Sequence, residues 1–460
     1  MRFLEMSLVL AELATLIILS RKHHRRWNAL VLLLLAIGLT LVHFFREGYR
    51  WQMTPAYALL TAIYVWHRLH PTDSLRWLGK SWLYGWWALA AVIPVCLPDL
   101  TLPDPGGPYT VGTETAMVID SSRAEWFTQD PADRRRLVVQ IWYPARSAEG
   151  LKPEPYLDHM ELRGPAMLDQ LELPDYLKPP SILTTYFSWF RTHAYPGADP
   201  DTSISPVVVL SPGLGGSRRL HQCLAEYLAS RGHAVVIIDH PYDAHVVVFP
   251  DGSLADYRSD LSGLTPADSS RLRHRQLRTR VDDLHFVLTE LKNGLLFHSI
   301  LGPDPPQEFV LIGHSFGGAT VFQTARERRD LVSVIALDGW NLALPDSSLK
   351  RGLPVPALYL GRPRWDNPEN YRRLARLYLA NTTTDHTWLI LHDVHHFDFA
   401  DVPLLSPLLK WMGKQGSIPP RRVVHMVNSL IDGYIRHQTI TFPEVEAVAP
   451  HTYLEHVRDH

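Results

Sequence analysis

The chain is expected to be an α/β protein with a mostly parallel central sheet, preceded by an all-α, multi-pass transmembrane segment. Three observations predict this. Short, continuously apolar runs alternate with helical stretches from about Arg136 onward, and strands covered on both faces read this way. Between one such run and one such helix stands G-x-S-x-G, Gly313-His314-Ser315-Phe316-Gly317. The first hundred residues are far more apolar than the rest.

Four apolar runs make up the N-terminal part, about Phe3–Ser20, Trp27–Phe45, Met53–Trp66 and Ser81–Leu97. A crossing helix needs about 20 residues. The first two runs satisfy this, and the fourth does if its tryptophans anchor at the interface. The third is shorter and contains Pro55. Glu5 and Glu12 lie in the first run, where interhelical hydrogen bonding suits them more readily than an ion path. RKHHRR follows that run in place of small cleavage residues, so a retained anchor is expected rather than a signal peptide. Arg21, Lys22, Arg25 and Arg26 make the first loop basic, and Arg68, Arg76 and Lys80 the third; the second holds Arg46 and Arg50. The richer loops are expected in the cytoplasm. With four crossings of the cell membrane, both termini and everything after Leu97 then lie outside. If the short third run does not cross, the large domain lies inside.

The expected organisation is an anchor of about four helices over residues 1–98, a Pro/Gly linker over 99–112, and a catalytic domain over 113–460. Strands are expected in RLVVQIWYP, PVVVLSPGLGG, HAVVIIDHP, EFVLIGHS, VSVIALDG, PALYLG and TWLILHD. Helices are expected in RRLHQCLAEYLASRG, HRQLRTRVDDLHFVLTELKNG and GGATVFQTARERR. Residues 151–201 break the alternation and form a cap or an insertion. The net charge of −2 gives no field that would attract nucleic acid. Cys96 and Cys223 are the two cysteines, one in an apolar run and one in the polar half, which disfavours a disulfide and excludes a cysteine-based metal site.

An apolar strand before G-x-S-x-G and a helix after it force Ser315 onto a tight elbow with its hydroxyl exposed. A hydroxyl needs a base to become nucleophilic, and donors for the oxyanion that forms. One donor is the N–H of Phe316. The other, from an earlier strand end, is assigned to Leu214 in SPGLGGS. The acid should follow the serine and precede the histidine. Asp338 in IALDGW and Asp366 in GRPRWDN both sit just beyond strands, and the residues alone do not choose between them. The base should lie in LHDVHHFDFAD, Leu391 to Asp401. His392, His395 and His396 would share a face only on a helix. This stretch continues a strand, where His395 and His396 point to opposite sides, so a metal site is not expected.

Taken together, GHSFGGATVFQT, IALDGW, the loop ending FAD, GPYTVG and SPGLGGSRRL resemble the plasma-type platelet-activating factor acetylhydrolases. The resemblance runs from about Gly107 to VNSLIDGYIRHQ and leaves out the apolar segment, which the plasma enzyme lacks. It implies an α/β-hydrolase fold and calcium-independent hydrolysis of short or oxidised sn-2 acyl chains of phospholipids. It implies Asp338 as the acid, in the family's LDxW segment, and His396 as the base, since H-x-x-F-x-D fits His396 to Asp401 without a gap. Leu214 and Phe316 carry over as the oxyanion residues. One departure is Pro212, in SPG, where the animal enzymes have histidine, which bears on substrate preference. The expectation is a membrane-anchored serine esterase that acts on a lipid or other ester, with no cofactor, metal or nucleic-acid partner. Its rivals are a general carboxylesterase or polyester hydrolase, and an inactive membrane scaffold or sensor.

Overall fold

The computed structural model describes residues 2–21, 26–69, 77–97, 101–169, 178, 181–201, 206–381, 384–405, 407–437 and 454–456. Two compact units are present, residues 1–100 with 405–411, and residues 101–404 with 412–460.

The first unit contains helices Phe3–Leu19, Arg26–Arg46, Thr54–Leu69 and Trp77–Cys96. Among the described residues one of them, over Trp27–Arg46, is long and apolar enough to cross a membrane. This narrows the expectation of four crossings. The first helix has 17 residues and the third 16, which at about 1.5 Å per residue falls short of a core roughly 30 Å thick. The fourth has the length, but contains Lys80 and Pro94. Lys22, Arg25 and Arg76, which entered the orientation argument, lie outside the described residues. Glu5 accepts two hydrogen bonds of 2.8 Å from Arg50 Nη1. Glu12 is fully buried, and among the described residues neither of its carboxylate oxygens has a hydrogen-bond partner.

Among the described residues, the second unit is built on one eleven-stranded sheet. Its strands are β1 (Thr110–Ala124), β2 (Arg134–Ser147), β3 (Ala194–Pro196), β4 (Asp199–Pro200), β5 (Val207–Ser211), β6 (Ala234–Asp239), β9 (Phe309–His314), β10 (Leu331–Leu337), β11 (Ala357–Gly361), β12 (His386–Leu391) and β13 (Leu454–His456). The short pair β7 (Val246–Val248) and β8 (Leu254–Asp256) stands apart. The order is β13-β12-β11-β10-β9-β5-β6-β2-β1-β3, with β4 on β2. From β12 to β6 every neighbouring pair is parallel, whereas β2 and β13 join antiparallel. All residues of β5, β6, β9 and β11 are buried, as their unbroken apolar runs require. Separate apolar clusters cover the two faces, one around Leu284, Phe322 and Leu374, the other around Leu228, Ile431 and Tyr434.

Two elements differ from expectation. β1 begins at Thr110, inside the expected linker, and residues 99–100 of that linker lie outside the described residues. Val111, Gly112 and Thr113 are buried in succession and the rest of the strand is mostly exposed or half-buried, so no continuous apolar run marks it. The long helix starts at Pro266 rather than near His274. Thr265 caps it, its hydroxyl accepting from Asp268 N at 3.2 Å, and Pro266 occupies the first turn, where its missing N–H costs nothing.

Part of the 151–201 segment, residues 170–177 and 179–180, lies outside the described residues. The remainder is tied to the sheet. β3 and β4 pair with β1 and β2. Asp158 accepts from Arg163, Arg218 and Arg219 at 2.8, 3.0 and 2.5 Å, and Glu154 pairs with Arg219 at 2.9 Å.

Candidate active site

Ser315 sits between β9 and helix Phe316–Glu327 with φ 56° and ψ −118°, a left-handed backbone that non-glycine residues rarely adopt. Three main-chain hydrogen bonds hold it there: Ser315 N to Leu337 O at 3.0 Å, Gly318 N to Ser315 O at 2.9 Å, and Trp340 N to Ser315 O at 2.8 Å. The turn closes only because Gly317 lacks a side chain. A Cβ there would fall 2.0 Å from Ser211 O.

Asp338 follows β10 directly, also at positive φ (43°), and is fully buried. Its N–H donates to Leu360 O at 2.7 Å. Its Oδ2 accepts from His396 Nδ1 at 2.6 Å. A carboxylate can only accept, so Nδ1 carries the proton and Nε2 is left as the base. Asp366, the other acid considered, is exposed; its neighbour Trp365 instead donates Nε1–H to Asp338 Oδ1 at 2.8 Å. Arg362 Nε donates to Asp338 Oδ2 at 2.8 Å. Sequence reasoning missed both residues, because it searched GRPRWDN for a carboxylate and not for donors to one.

His396 opens a short 3₁₀ turn after β12, and its ring stacks on His314 with centroids 4.8 Å apart. His314 Nε2 lies 3.1 Å from His396 O. Burial, with His396 and His221 adding to it, pushes His314 well below its ordinary range, so it remains neutral. Among the described residues no hydrogen bond joins Ser315 Oγ to His396 Nε2. Contacts of this kind often tighten only once substrate is bound. His395 is exposed while His396 is turned to Asp338, so the two neighbouring rings point apart. The aspartates after His396 hold the loop: Asp398 Oδ2 accepts from His395 N at 2.6 Å and Gly416 N at 2.7 Å, and Asp401 Oδ2 from Cys223 N at 3.2 Å. Burial, first of all, pushes the Asp401 carboxyl up to about 7.

The SPGLGG loop lies against the elbow, so closely that a Cβ on Gly213 would stand 3.0 Å from Ser315 Cβ. Among the described residues neither the Leu214 nor the Phe316 amide has an acceptor, and Phe316 N–H is one of the unsatisfied donors at a helix start. Buried Arg280 supports the loop, donating to Pro212 O at 2.7 Å, Gly213 O at 3.3 Å and Asp243 Oδ2 at 2.8 Å. Asp243 O in turn accepts from Gly215 N at 2.8 Å.

A second chain of the same residue types lies close behind. Ser211 Oγ is 2.9 Å from His240 Nε2, and His240 Nδ1 is 2.8 Å from Asp283 Oδ2. All three are buried, and Arg135 completes the network on Asp283 at 2.6 Å. Ser211 is the last residue of β5, without an elbow to present its hydroxyl. We expect Ser211→Ala to leave turnover within several-fold of the parent and to lower stability by about 1–3 kcal/mol, the cost of a buried ring nitrogen losing its partner. Paired kinetics and denaturant unfolding check this; a loss of turnover with stability unchanged would make Ser211 the nucleophile.

The strand order and the elbow between β9 and its helix define an α/β-hydrolase. The family model for platelet-activating factor acetylhydrolase, isoform II, matches residues 96–439. The chain belongs to that family, and is an ester hydrolase. Its relatives include a platelet-activating factor acetylhydrolase of Canis lupus familiaris, 25% identical over 363 residues that cover 73% of this chain and 75% of the relative. A probable 1-alkyl-2-acetylglycerophosphocholine esterase of Arthroderma benhamiae is 24% identical, over 78% of this chain and 95% of the relative. Among solved structures, a ferulic acid esterase from Streptomyces cinnamoneus superposes with a TM-score of 0.60 and 27% identity, covering 78% of this chain and 99% of that one.

Proposed function

We propose that the chain is a membrane-attached serine esterase that cleaves short or oxidised sn-2 acyl chains from phospholipids without calcium. The observation that carries it is the 2.6 Å bond from His396 Nδ1 to buried Asp338, beside a serine held on an elbow. Ser315 Oγ attacks the ester carbonyl as His396 Nε2 takes its proton. The N–H groups of Leu214 and Phe316 receive the oxyanion. His396 then returns the proton to the leaving alcohol, and water, activated by the same nitrogen, releases the acyl group. Metal and cofactor have no part in these steps.

Membrane attachment is supported by the apolar surface of the helical unit and the polar groups buried inside it. Glu5, Glu12, His43, Arg50 and Gln52 are buried, while Phe3, Leu10, Trp27, Leu34, Phe45 and Leu89 are exposed. A unit dissolved in lipid has this distribution, and one in water does not. The crossing proposed is the helix Trp27–Arg46. Carbonate washing of membranes should leave the full chain in the pellet; release into the supernatant would remove the anchor.

A general carboxylesterase is the second reading, favoured by the likeness to the ferulic acid esterase. Turnover of a 2-acetyl phospholipid, methyl ferulate and p-nitrophenyl acetate by the full-length protein separates the two. The proposal expects the phospholipid to show the highest kcat/KM. Equal or better turnover of the simple esters would favour the general esterase. Failure of a fluorophosphonate probe to label folded protein would leave neither.

A further inference from the structure

We propose that Arg362 and Trp365 are positioning residues for the Asp338–His396 pair, holding the carboxylate in line with the imidazole. This rests on the reading of Ser315, His396 and Asp338 as the reacting set.

The Asp338 carboxylate receives three donors. Oδ2 accepts from both His396 Nδ1 at 2.6 Å and Arg362 Nε at 2.8 Å, while Oδ1 accepts from Trp365 Nε1 at 2.8 Å. Arg362 and Trp365 come from one turn after β11 and brace each other, the guanidinium carbon 4.9 Å from the indole centroid. The indole meets the His396 ring edge-on at 5.4 Å. Tyr371 fixes the turn by donating its hydroxyl to Arg362 O. The carboxylate therefore cannot rotate away from His396 without breaking bonds to two further side chains.

His314 lies under the His396 ring and His221 beyond it, at 5.3 Å from His314. Burial pushes His314 well down and His221 down to about 4, so both are neutral near pH 7. Asp398 is turned away to the amides of His395 and Gly416. Among the described residues, Arg362 and Trp365 are the side chains beside His396 that donate to Asp338.

The test sets kcat against KM for p-nitrophenyl acetate, beside thermal unfolding, on the full-length protein in detergent. A carboxylate loosened from His396 slows the chemical step and leaves substrate binding alone. Arg362→Gln and Trp365→Phe should each lower kcat several-fold with KM near the parent's, and Arg362→Lys, which keeps a cationic donor, should recover most of the loss. Parent-like kcat in Arg362→Gln and Trp365→Phe, with Ser315→Ala inactive, overturns the proposal. A loss of kcat that tracks lost thermal stability, and that Arg362→Lys does not recover, also overturns it. Parent-like turnover by Ser315→Ala overturns the catalytic reading beneath it instead. Should Arg362→Gln fail to fold, Trp365→Phe carries the test, and an unchanged kcat there overturns the proposal.

Discussion

Replacing Ser315 by alanine is expected to lower kcat for ester hydrolysis by about 10⁴–10⁶-fold, with the fold intact. The loss is that large because the serine and its base act as a unit, so removing the nucleophile disables His396 and Asp338 as well. The fold should survive for a local reason. The elbow is held by the main chain of residue 315, bonded to Leu337, Gly318 and Trp340, and alanine keeps all three bonds. No bond from the hydroxyl to His396 is lost. Kinetics with p-nitrophenyl acetate and a 2-acetyl phospholipid, beside thermal unfolding and fluorophosphonate labelling, check this together. A Ser315→Ala protein that still takes the probe would move the nucleophile elsewhere, with Ser211 the first place to look.

The second large effect concerns the acid. Asp338→Asn is expected to cost about 10⁴-fold in kcat, whereas Asp366→Asn should stay near the parent. An amide facing His396 can offer N–H where the carboxylate offered only lone pairs. The imidazole then takes the other tautomer, with the proton on Nε2, and cannot receive one from Ser315. The same change leaves Arg362 and Trp365 without a charged acceptor. Asp366 is exposed, and its loop serves the site through Trp365. Measuring kcat for both variants decides the assignment; a severe loss confined to Asp366→Asn would reverse it.

Much of the hydrolase unit could be read from residue order. Its buried strands are continuous apolar runs because both faces are covered, and the elbow is written as two glycines around a serine between a strand and a helix. Other elements left no such mark. β1 carries no such signal because its exposed and half-buried positions hold Glu114, Thr115, Ser121, Ser122 and Arg123, which break any apolar run. The start of the helix at Pro266 was signalled by Thr265-Pro266-Ala267-Asp268, a capping pattern that the search for apolar periodicity passed over. In the first unit, apolar composition marked four helices, but composition alone overstated how many are long enough to cross.

Sequence by itself indicated the α/β class with a mostly parallel sheet and an elbow at Ser315, and left a choice of two acids and a loop of histidines. It could do so because strand periodicity and tight-turn chemistry are local, set by residues a few positions apart. Only the tertiary structure set Asp338 against His396, across 58 positions of chain, and brought Arg362, Trp365 and His314 to the same pair. It also revealed that a second Ser–His–Asp chain exists and is sealed in the core. These are properties of strand ends meeting along one edge of a sheet. Their order there follows from how the strands pair, β9 beside β10 beside β11 beside β12, and no short stretch of residues carries that information.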